Sequence, residues 1–566
     1  MQTVKGKIKL NGETGKLAKS ISEGWLLGFK ERNPAILAMF KERDKLPYRE
    51  LVPWAGEFAG KYITGAYFIY KLTNDDERLK DYILSFIDEL QACVDDGYVG
   101  TYQKKCRLTG AASSNPEKTG ETWDAWNHCH IMRGLYLWYQ ETGDSRLLGT
   151  VKEIAELFMR TFYDGKMRLA DIGSTEMNLA PIHIFALLYL ETREQKYLDF
   201  ALCVAEDLAL PNCGDYINNA LAGIPFYKSV KPRWEALHII MGVAALYRCT
   251  NDEKYLTAVR QIYDTILEYD VHNSGGFSTD EQAIGTPFKN KAIELCCTIA
   301  FNAFAFEIYA LTPDPAIIDH LETAHYNAVL GSFSPTGRWS TYNTPMEGEK
   351  ISNCQAIVFQ ARSGSPELNC CSAYSARGVG QLAEWAFSEE KDTLYVNYYE
   401  ACSFRGQDGL EIEITGEYPV SPEVKLSVSA PGHSRIALHI PAWSKNTVVY
   451  FGPNTLHPPA NSYLVLEETR ADIRIVFDFT PHFIEGGDDY AGKKSIFIGP
   501  LMFGCDLTLN DFIENPTVSL AALNAAKPVI DPEGRILLKL DGITLCDFYR
   551  LGLDGSSYKT WFIITE

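Results

Sequence analysis

Leu135-Tyr136-Leu137-Trp138-Tyr139-Gln140-Glu141-Thr142-Gly143-Asp144-Ser145-Arg146-Leu147-Leu148 is the stretch that decides the fold. An apolar, aromatic-rich run ends in a turn centred on Thr142, and a Leu-Leu pair then opens a second apolar stripe. The same turn recurs at Leu72-Thr73-Asn74-Asp75, Glu191-Thr192-Arg193-Glu194, Cys249-Thr250-Asn251-Asp252 and Leu311-Thr312-Pro313-Asp314. Successive turns lie about 50 to 70 residues apart, the length of a helical hairpin plus a variable loop. Each hairpin has one face that it cannot bury alone, so neighbours must stack. Five hairpins, with further helices near 20–40 and 373–387, predict a closed double ring of six helix pairs, an (α/α)6 barrel. An open solenoid is the alternative. Closure is favoured because the loops between hairpins are long and carry the unusual polar residues.

Beyond Glu390 the period changes from helical to alternating. Thr393–Tyr398, Leu410–Ile414, Val424–Val428, Arg435–Ile440 and Ile473–Phe477 alternate in the manner of half-buried strands, punctuated by Pro431-Gly432 and Pro453-Asn454. The expected architecture is therefore multidomain α+β, a helical barrel followed by β-sandwich domains. Residues 1–20 are expected to supply a strand (Lys7-Ile8-Lys9-Leu10) packed on a sandwich, 21–388 the barrel, 389–485 a β-sandwich, and 486–566 a second sandwich or β-rich domain.

The 566 residues are 46% hydrophobic and 22% charged, which is the composition of a folded globular protein. A net charge of −20 argues against nucleic acid and anionic membrane as partners, because a polyphosphate ligand needs a basic footprint. No apolar run is long enough to span a bilayer, and the start MQTVKGKIKLNGETGKL has no apolar core of a secretory signal. A cytoplasmic location is expected. In a reducing compartment the fourteen cysteines are buried thiols, metal ligands or catalytic groups.

Two cysteine pairs stand apart from the rest, in Glu294-Leu295-Cys296-Cys297 and in Glu367-Leu368-Asn369-Cys370-Cys371-Ser372. Zinc takes three or four Cys, His or carboxylate ligands, and two short motifs brought together by a repeat fold supply such a set. Glu294 and Cys296 diverge on a regular helix, so they converge only at an irregular helix entry, which the preceding Pro287-Phe288-Lys289-Asn290 permits. Cys370 and Cys371 directly precede an expected helix, where backbone N–H groups and a metal would both favour thiolate. Small buried core thiols are the competing reading of the same spacing.

These residues also carry a resemblance. Gly56-Glu57-Phe58-Ala59-Gly60-Lys61 through Asp96-Gly97-Tyr98-Val99-Gly100, Glu294-Leu295-Cys296, Glu322-Thr323-Ala324-His325-Tyr326-Asn327, Cys370-Cys371 and Gly499-Pro500-Leu501 resemble the bacterial β-L-arabinofuranosidases of glycoside hydrolase family 127. The resemblance implies an (α/α)6 barrel with β-sandwich domains and one zinc ion held by Glu294, Cys296, Cys370 and Cys371. It implies Cys370 as nucleophile and Glu294 as general acid/base of a retaining exo-acting glycosidase that releases terminal β-L-arabinofuranose or a related pentose. Its substrate-binding positions fall on His130, His238, Glu281, Glu322 and Tyr342, and Trp123, Trp126 and Trp339 are candidates to stack on sugar.

The sequence departs from the family pattern around Met177-Asn178-Leu179-Ala180-Pro181, where a further substrate-binding histidine is expected and His183 stands out of register. It departs again at Ser372-Ala373-Tyr374, which lacks the family's prolines, and at the extra thiol Cys297. The expected partners are an oligosaccharide or glycoside, with a homodimer open to the chain. Alternatives are a glycuronyl hydrolase or epimerase on the same barrel, a carbohydrate-binding protein with structural zinc, and a redox role for the vicinal thiols.

Overall fold

The computed structural model describes residues 1–112, 121–163, 167–360, 364–511 and 513–566. Each Thr-centred turn is a compact hydrogen-bonded unit. The hydroxyls of Thr73, Thr142, Thr192 and Thr250 donate to the carbonyls four residues back at 2.7–3.0 Å, satisfying acceptors that a helix end leaves orphaned. The next residue takes a left-handed conformation, as at Gly143 (φ 69°), Arg193 (φ 61°) and Asn251 (φ 54°), which stops the helix. Asp76, Asp144, Asp252 and Asp314 then cap the following helix by accepting from a backbone N–H.

The hairpins so produced sort into two layers. Glu57–Leu72, Asp124–Thr142, Pro181–Thr192, Ala236–Thr250, Leu295–Leu311 and Cys370–Gly380 are buried on nearly every side. Each packs on the next in that order, and the last returns to the first, so six inner helices close a ring. Glu77–Gln91, Ser145–Phe158, Gln195–Asp207, Glu253–Tyr269 and Pro315–Ala324 pack outside their own inner helices. Their buried positions follow one helical stripe, for example Leu79, Ile83, Phe86, Ile87 and Leu90. The sixth outer position goes to Glu13–Ile21, which packs on Cys370–Gly380 and Glu57–Leu72. Residues 1–20 are therefore not only a strand segment. Leu17, Ala18 and Ile21 repeat at helical spacing and bury against the ring.

Gly6–Leu10 pairs with Cys402–Gly406 at the edge of a seven-stranded sheet, and Gln2–Thr3 pairs with Phe387–Glu390 in a five-stranded one. The alternating apolar residues of both sheets, such as Ile412, Val424, Ile473, Leu394 and Ile436, join one core with the ring. His482–Glu485 pairs with Lys494–Ile498, so it belongs to the third sheet rather than ending the second domain at 485. That third sheet buttresses the loops at one end of the ring. Asn273 donates to Ser495 and Thr560 at 2.7 and 2.9 Å, and the Thr560 hydroxyl donates to the Met346 carbonyl at 2.8 Å.

The inner ring tolerates little added volume. A Cβ on Gly60 would lie 2.3 Å from the His130 carbonyl carbon, because Glu57–Leu72 and Asp124–Thr142 touch backbone to backbone there. Gly60→Ala is expected to lower stability by roughly 1–3 kcal/mol. Gly149→Ala, where nothing lies within 4 Å on the outer helix Ser145–Phe158, is expected to raise it by about 0.5–1 kcal/mol. Thermal denaturation of the two variants checks the contrast.

Candidate metal centre and active site

All six inner helices run away from the same end of the ring, and the two cysteine motifs sit at that end. Glu294 is extended (φ −71°, ψ 136°) immediately before Leu295–Leu311, so its side chain leaves the helix path and turns back toward Cys296. A short antiparallel bridge holds it there: Leu295 N donates to the Tyr342 carbonyl at 2.9 Å, Thr344 N to the Ile293 carbonyl at 3.0 Å. Cys370 and Cys371 open the helix Cys370–Gly380. Asn369 caps that helix in a reciprocal box with Ser372, and the Cys370 N–H donates to Gln360 Oε1 at 2.9 Å.

One ligand atom from each of Glu294, Cys296, Cys370 and Cys371 lies within 4.8 Å of all the others, and all four residues are buried. The sulfurs of Cys296 and Cys371 approach to 3.4 Å, those of Cys370 and Cys371 to 3.8 Å, and Cys371 Sγ stands 3.2 Å from Glu294 Oε1. Cys297 reaches the other carboxyl oxygen of Glu294 at 3.4 Å. This cluster could hold a metal ion, and its donor set suits one: three soft sulfurs and a carboxylate, close enough to share a single centre.

Electrostatics singles out one thiol. Contacts from Cys296 and Cys371, aided by the Lys61 ammonium, hold Cys370 well below the ordinary thiol range, while burial pushes Cys296 and Cys371 up. Cys370 is also the most exposed of the four at 8%. Burial, with the charges of Glu281 and Cys370, raises Glu294. Lys61 is itself fully buried, bonded to Glu57 at 2.8 Å and seated over the rings of Trp234 and Tyr374 at 5.0 Å each. Burial lifts Glu57 to about 7 against the pull of Lys61, and the indole N–H of Trp126 donates to its second oxygen.

Of the expected sugar-binding residues, the structure brings Glu281 and Tyr342 to the cluster. The Tyr342 hydroxyl donates to Glu281 Oε1 at 2.9 Å, and burial together with Glu294 and Glu281 raises that phenol. Arg233 donates to Glu281 Oε2 at 2.6 Å while gripping Glu235 with two bonds of 3.0 and 2.7 Å. This Arg233–Glu235 pair escaped sequence reading. Its only signal was a basic and an acidic residue flanking Trp234. Glu57 and Lys61 stood within the resembling segment but carried no assigned role. Glu281 has φ 67°, so the loop bends sharply to present it.

His130 and His238 lie 5.0 Å apart with Trp126 against both, one helical turn further from the open end than Trp126. His183, out of register in the sequence, joins them in lining a small cavity. Asn178 instead serves structure, accepting from the Trp126 N–H and donating to the Thr122 and Gly173 carbonyls. Trp126 is wholly buried, Trp123 tilts against Trp54 at 5.2 Å, and Trp339 lines a separate cavity of about 610 Å³ with Trp25 and Arg338.

Glu322 is not brought to the cluster. It faces outward from Pro315–Ala324, accepts from the Tyr418 hydroxyl at 2.5 Å and the Trp443 indole at 3.4 Å, and so ties the ring to the β-sandwich. Sequence spacing put it on a helix but could not say which face met which neighbour.

Residues 26–384 match the beta-L-arabinofuranosidase GH127 catalytic domain, and the chain belongs to glycoside hydrolase family 127. The fold is shared with the GH127 beta-arabinofuranosidase BT3674 (TM-score 0.77, 18% identity, 100% of this chain and 98% of that one). It is also shared with a GH127 beta-L-arabinofuranosidase from Geobacillus stearothermophilus T6 (TM-score 0.75, 16% identity, 100% of both chains). No curated protein matches the chain by sequence. No helix among the described residues is long and apolar enough to cross a membrane.

Two substitutions test these placements. Glu57→Gln leaves the buried Lys61 ammonium unpaired and is expected to cost on the order of 3–5 kcal/mol, most of it recovered in Glu57→Gln/Lys61→Met, as read by chemical denaturation. Burial lifts Glu322 to about 7 from the usual 4.5, so the folded state holds its proton more tightly. The associated stability is complete below pH 4.5 and is lost as pH rises through 7. Glu322→Gln is expected to remove a loss on the order of 2–3 kcal/mol across that window while leaving KM for a glycoside unchanged. Paired melting curves at pH 5 and 8, with initial-rate kinetics, check both halves.

Proposed function

We propose that this family 127 chain is a retaining, exo-acting glycosidase that releases a terminal β-L-arabinofuranose, or a closely related pentose, on an (α/α)6 barrel with Cys370 as nucleophile. The carrying observation is the buried cluster of Glu294, Cys296, Cys370 and Cys371 with Glu281 beside it. The sugar assignment is supported by the names of the two structural neighbours and of the family's catalytic domain. A cytoplasmic site of action is part of this reading, and fourteen cysteines that are all free thiols support it.

The donor set fits zinc, whose sulfur ligands at about 2.3 Å in a tetrahedron stand about 3.8 Å apart, close to the separations of 3.4 and 3.8 Å here. Glu294, Cys296, Cys370 and Cys371 would hold it, and the ion would keep the thiols deprotonated at neutral pH.

Cys370 attacks the anomeric carbon, the glycosidic C–O bond breaks, and the leaving oxygen takes a proton from a carboxylic acid. Most retaining enzymes set two carboxyl groups about 5–5.5 Å apart for this, and here a thiolate replaces one of them. The family resemblance gave the proton to Glu294. Both of its oxygens face thiols, and it is only 2% exposed. Glu281, with a side chain 31% exposed and oriented by Tyr342 and Arg233, is the better proton carrier, and the reading assigns it that role. In the second half-reaction water attacks the thioglycosyl carbon, gives its proton to the Glu281 carboxylate, and the Cys370 thiolate leaves. Tyr342 is retained as a hydroxyl-binding residue. His130 and His238 back the site through Trp126.

The test uses nitrophenyl and alkyl β-L-arabinofuranosides with elemental analysis. Wild type is expected to carry one zinc per chain and to turn over both substrates, and Cys370→Ala to turn over neither. Glu281→Gln is expected to lose about 10²–10⁴-fold on the alkyl glycoside and far less on the nitrophenyl one, whose leaving group needs no proton. Glu294→Gln is expected to lose zinc and both activities together. Equal loss on both substrates in Glu281→Gln with zinc retained would return the proton to Glu294.

A further inference from the structure

Exposed apolar groups on the helical ring are confined to one end. Among the described residues up to Trp385, every exposed large apolar side chain lies in a segment that leads into an inner helix, and none lies at the Thr-centred turns of the opposite end. Single exposed apolar residues are ordinary on a protein surface, so the signal is their restriction to the mouth.

Two pairs of them adjoin the reacting groups. Val358 and Phe359, each 62% exposed, directly precede Gln360. Gln360 Oε1 accepts from the Cys370 N–H at 2.9 Å, and its Nε2 stands 3.5 Å from Cys370 Sγ. Val230 and Ile284, 66% and 41% exposed, adjoin Arg233 and Glu281. The segments that carry them run antiparallel: the Trp234 N–H donates to the Glu281 carbonyl at 3.3 Å, and the Ala283 N–H to the Pro232 carbonyl at 2.9 Å. Val230 and Ile284 therefore emerge at the same end of this pair, just beyond the Arg233–Glu281 ion pair. Asp270 fixes that end, its Oδ1 accepting from the N–H groups of Ile284 and Gly285 at 2.6 and 2.8 Å.

In a retaining hydrolysis the nucleophile and the proton carrier flank the scissile bond, and the leaving oxygen faces the carrier. With Cys370 and Glu281 in those roles, the group on the leaving oxygen emerges past Val230 and Ile284. We propose, resting on that assignment, that the glycoside cleaved here carries an apolar aglycone, alkyl or aryl. It docks on Val230 and Ile284, with Val358 and Phe359 completing the lip on the Cys370 side. Covering these side chains stabilises the complex by about 25 cal/mol per Å² of apolar surface. A further sugar in the same place would have its hydroxyls desolvated against groups that offer no hydrogen bond. A second copy of this chain seated on these residues would bar the glycoside from the mouth.

The test compares methyl, butyl and octyl β-L-arabinofuranosides, whose leaving alcohols ionise alike, so that rate differences report contacts. For the wild type, kcat/KM is expected to rise about tenfold from methyl to butyl, carried mainly by KM. Val230→Ser/Ile284→Ser is expected to bring the butyl-to-methyl ratio back near one, with a melting curve to check that the variant is folded. Phe359→Ser is expected to lower the octyl-to-butyl ratio. A wild-type butyl-to-methyl ratio near one, with the methyl glycoside turned over, overturns the apolar aglycone and leaves the glycosidase reading standing. A high ratio that survives the double substitution overturns it as well. Turnover of none of the three overturns the reading and the proposal together. A dimer in size-exclusion chromatography that the same substitutions dissociate assigns the apolar lip to a second copy of the chain instead.

Discussion

The constraint on which the structure rests is the crowding of one carboxyl and three thiol groups, all withdrawn from water, into a volume a few ångströms across. Four acidic groups so placed cannot all ionise without a cation to balance them, and burial alone already drives Glu294, Cys296 and Cys371 toward their protonated forms. Only Cys370, the one best supplied with neighbouring donors and aided by the Lys61 ammonium, is pulled the other way. The cluster is thus reactive and fragile at once, and much of the surrounding chain holds it together. The Asn369–Ser372 capping box, the Tyr342–Leu295 bridge and the third sheet behind the loops each fix one side of it.

The helical ring explains how such a cluster can exist. An inner helix is buried all round, so its polar groups survive only at its ends or in pairs. At the far end the Thr-centred turns satisfy the orphan carbonyls internally and leave nothing for chemistry. At the mouth the orphan N–H groups and the first-turn side chains are free to serve a site, and Glu294, Cys296, Cys370 and Cys371 sit there. Deeper in, each polar side chain needs company. Glu57 bonds Lys61 and Trp126, whereas Arg133, Arg377 and the three histidines gather round a cavity.

Much of this was legible in the chain itself. The Thr turns marked the hairpins because a hydroxyl to the carbonyl four residues back, and at most of them a left-handed stop and an aspartate cap, are all local chemistry. The alternation after Glu390 marked the sheets in the same way. The spacing of Glu294 and Cys296 required an irregular helix entry, and the extended backbone at Glu294 is that entry. Less was legible where a side chain's task depends on a neighbour far away in sequence. Glu322 lay in a family-like segment and yet bonds Tyr418 and Trp443 of the sandwich. Arg233 and Glu235 gave no motif, although they orient Glu281. His183 stood out of register in the helix and still reaches the cavity of His130 and His238.

The sequence by itself determined the hairpins and the change to strands, because periodicity and turn chemistry act over a few residues, and its resemblance to family 127 picked out the four residues that cluster. Only the tertiary structure decided which carboxyl groups meet solvent at the mouth and which are locked against thiols or the sandwich. Those outcomes follow from which helix faces are pressed together when the ring closes, and that depends on contacts between segments hundreds of residues apart.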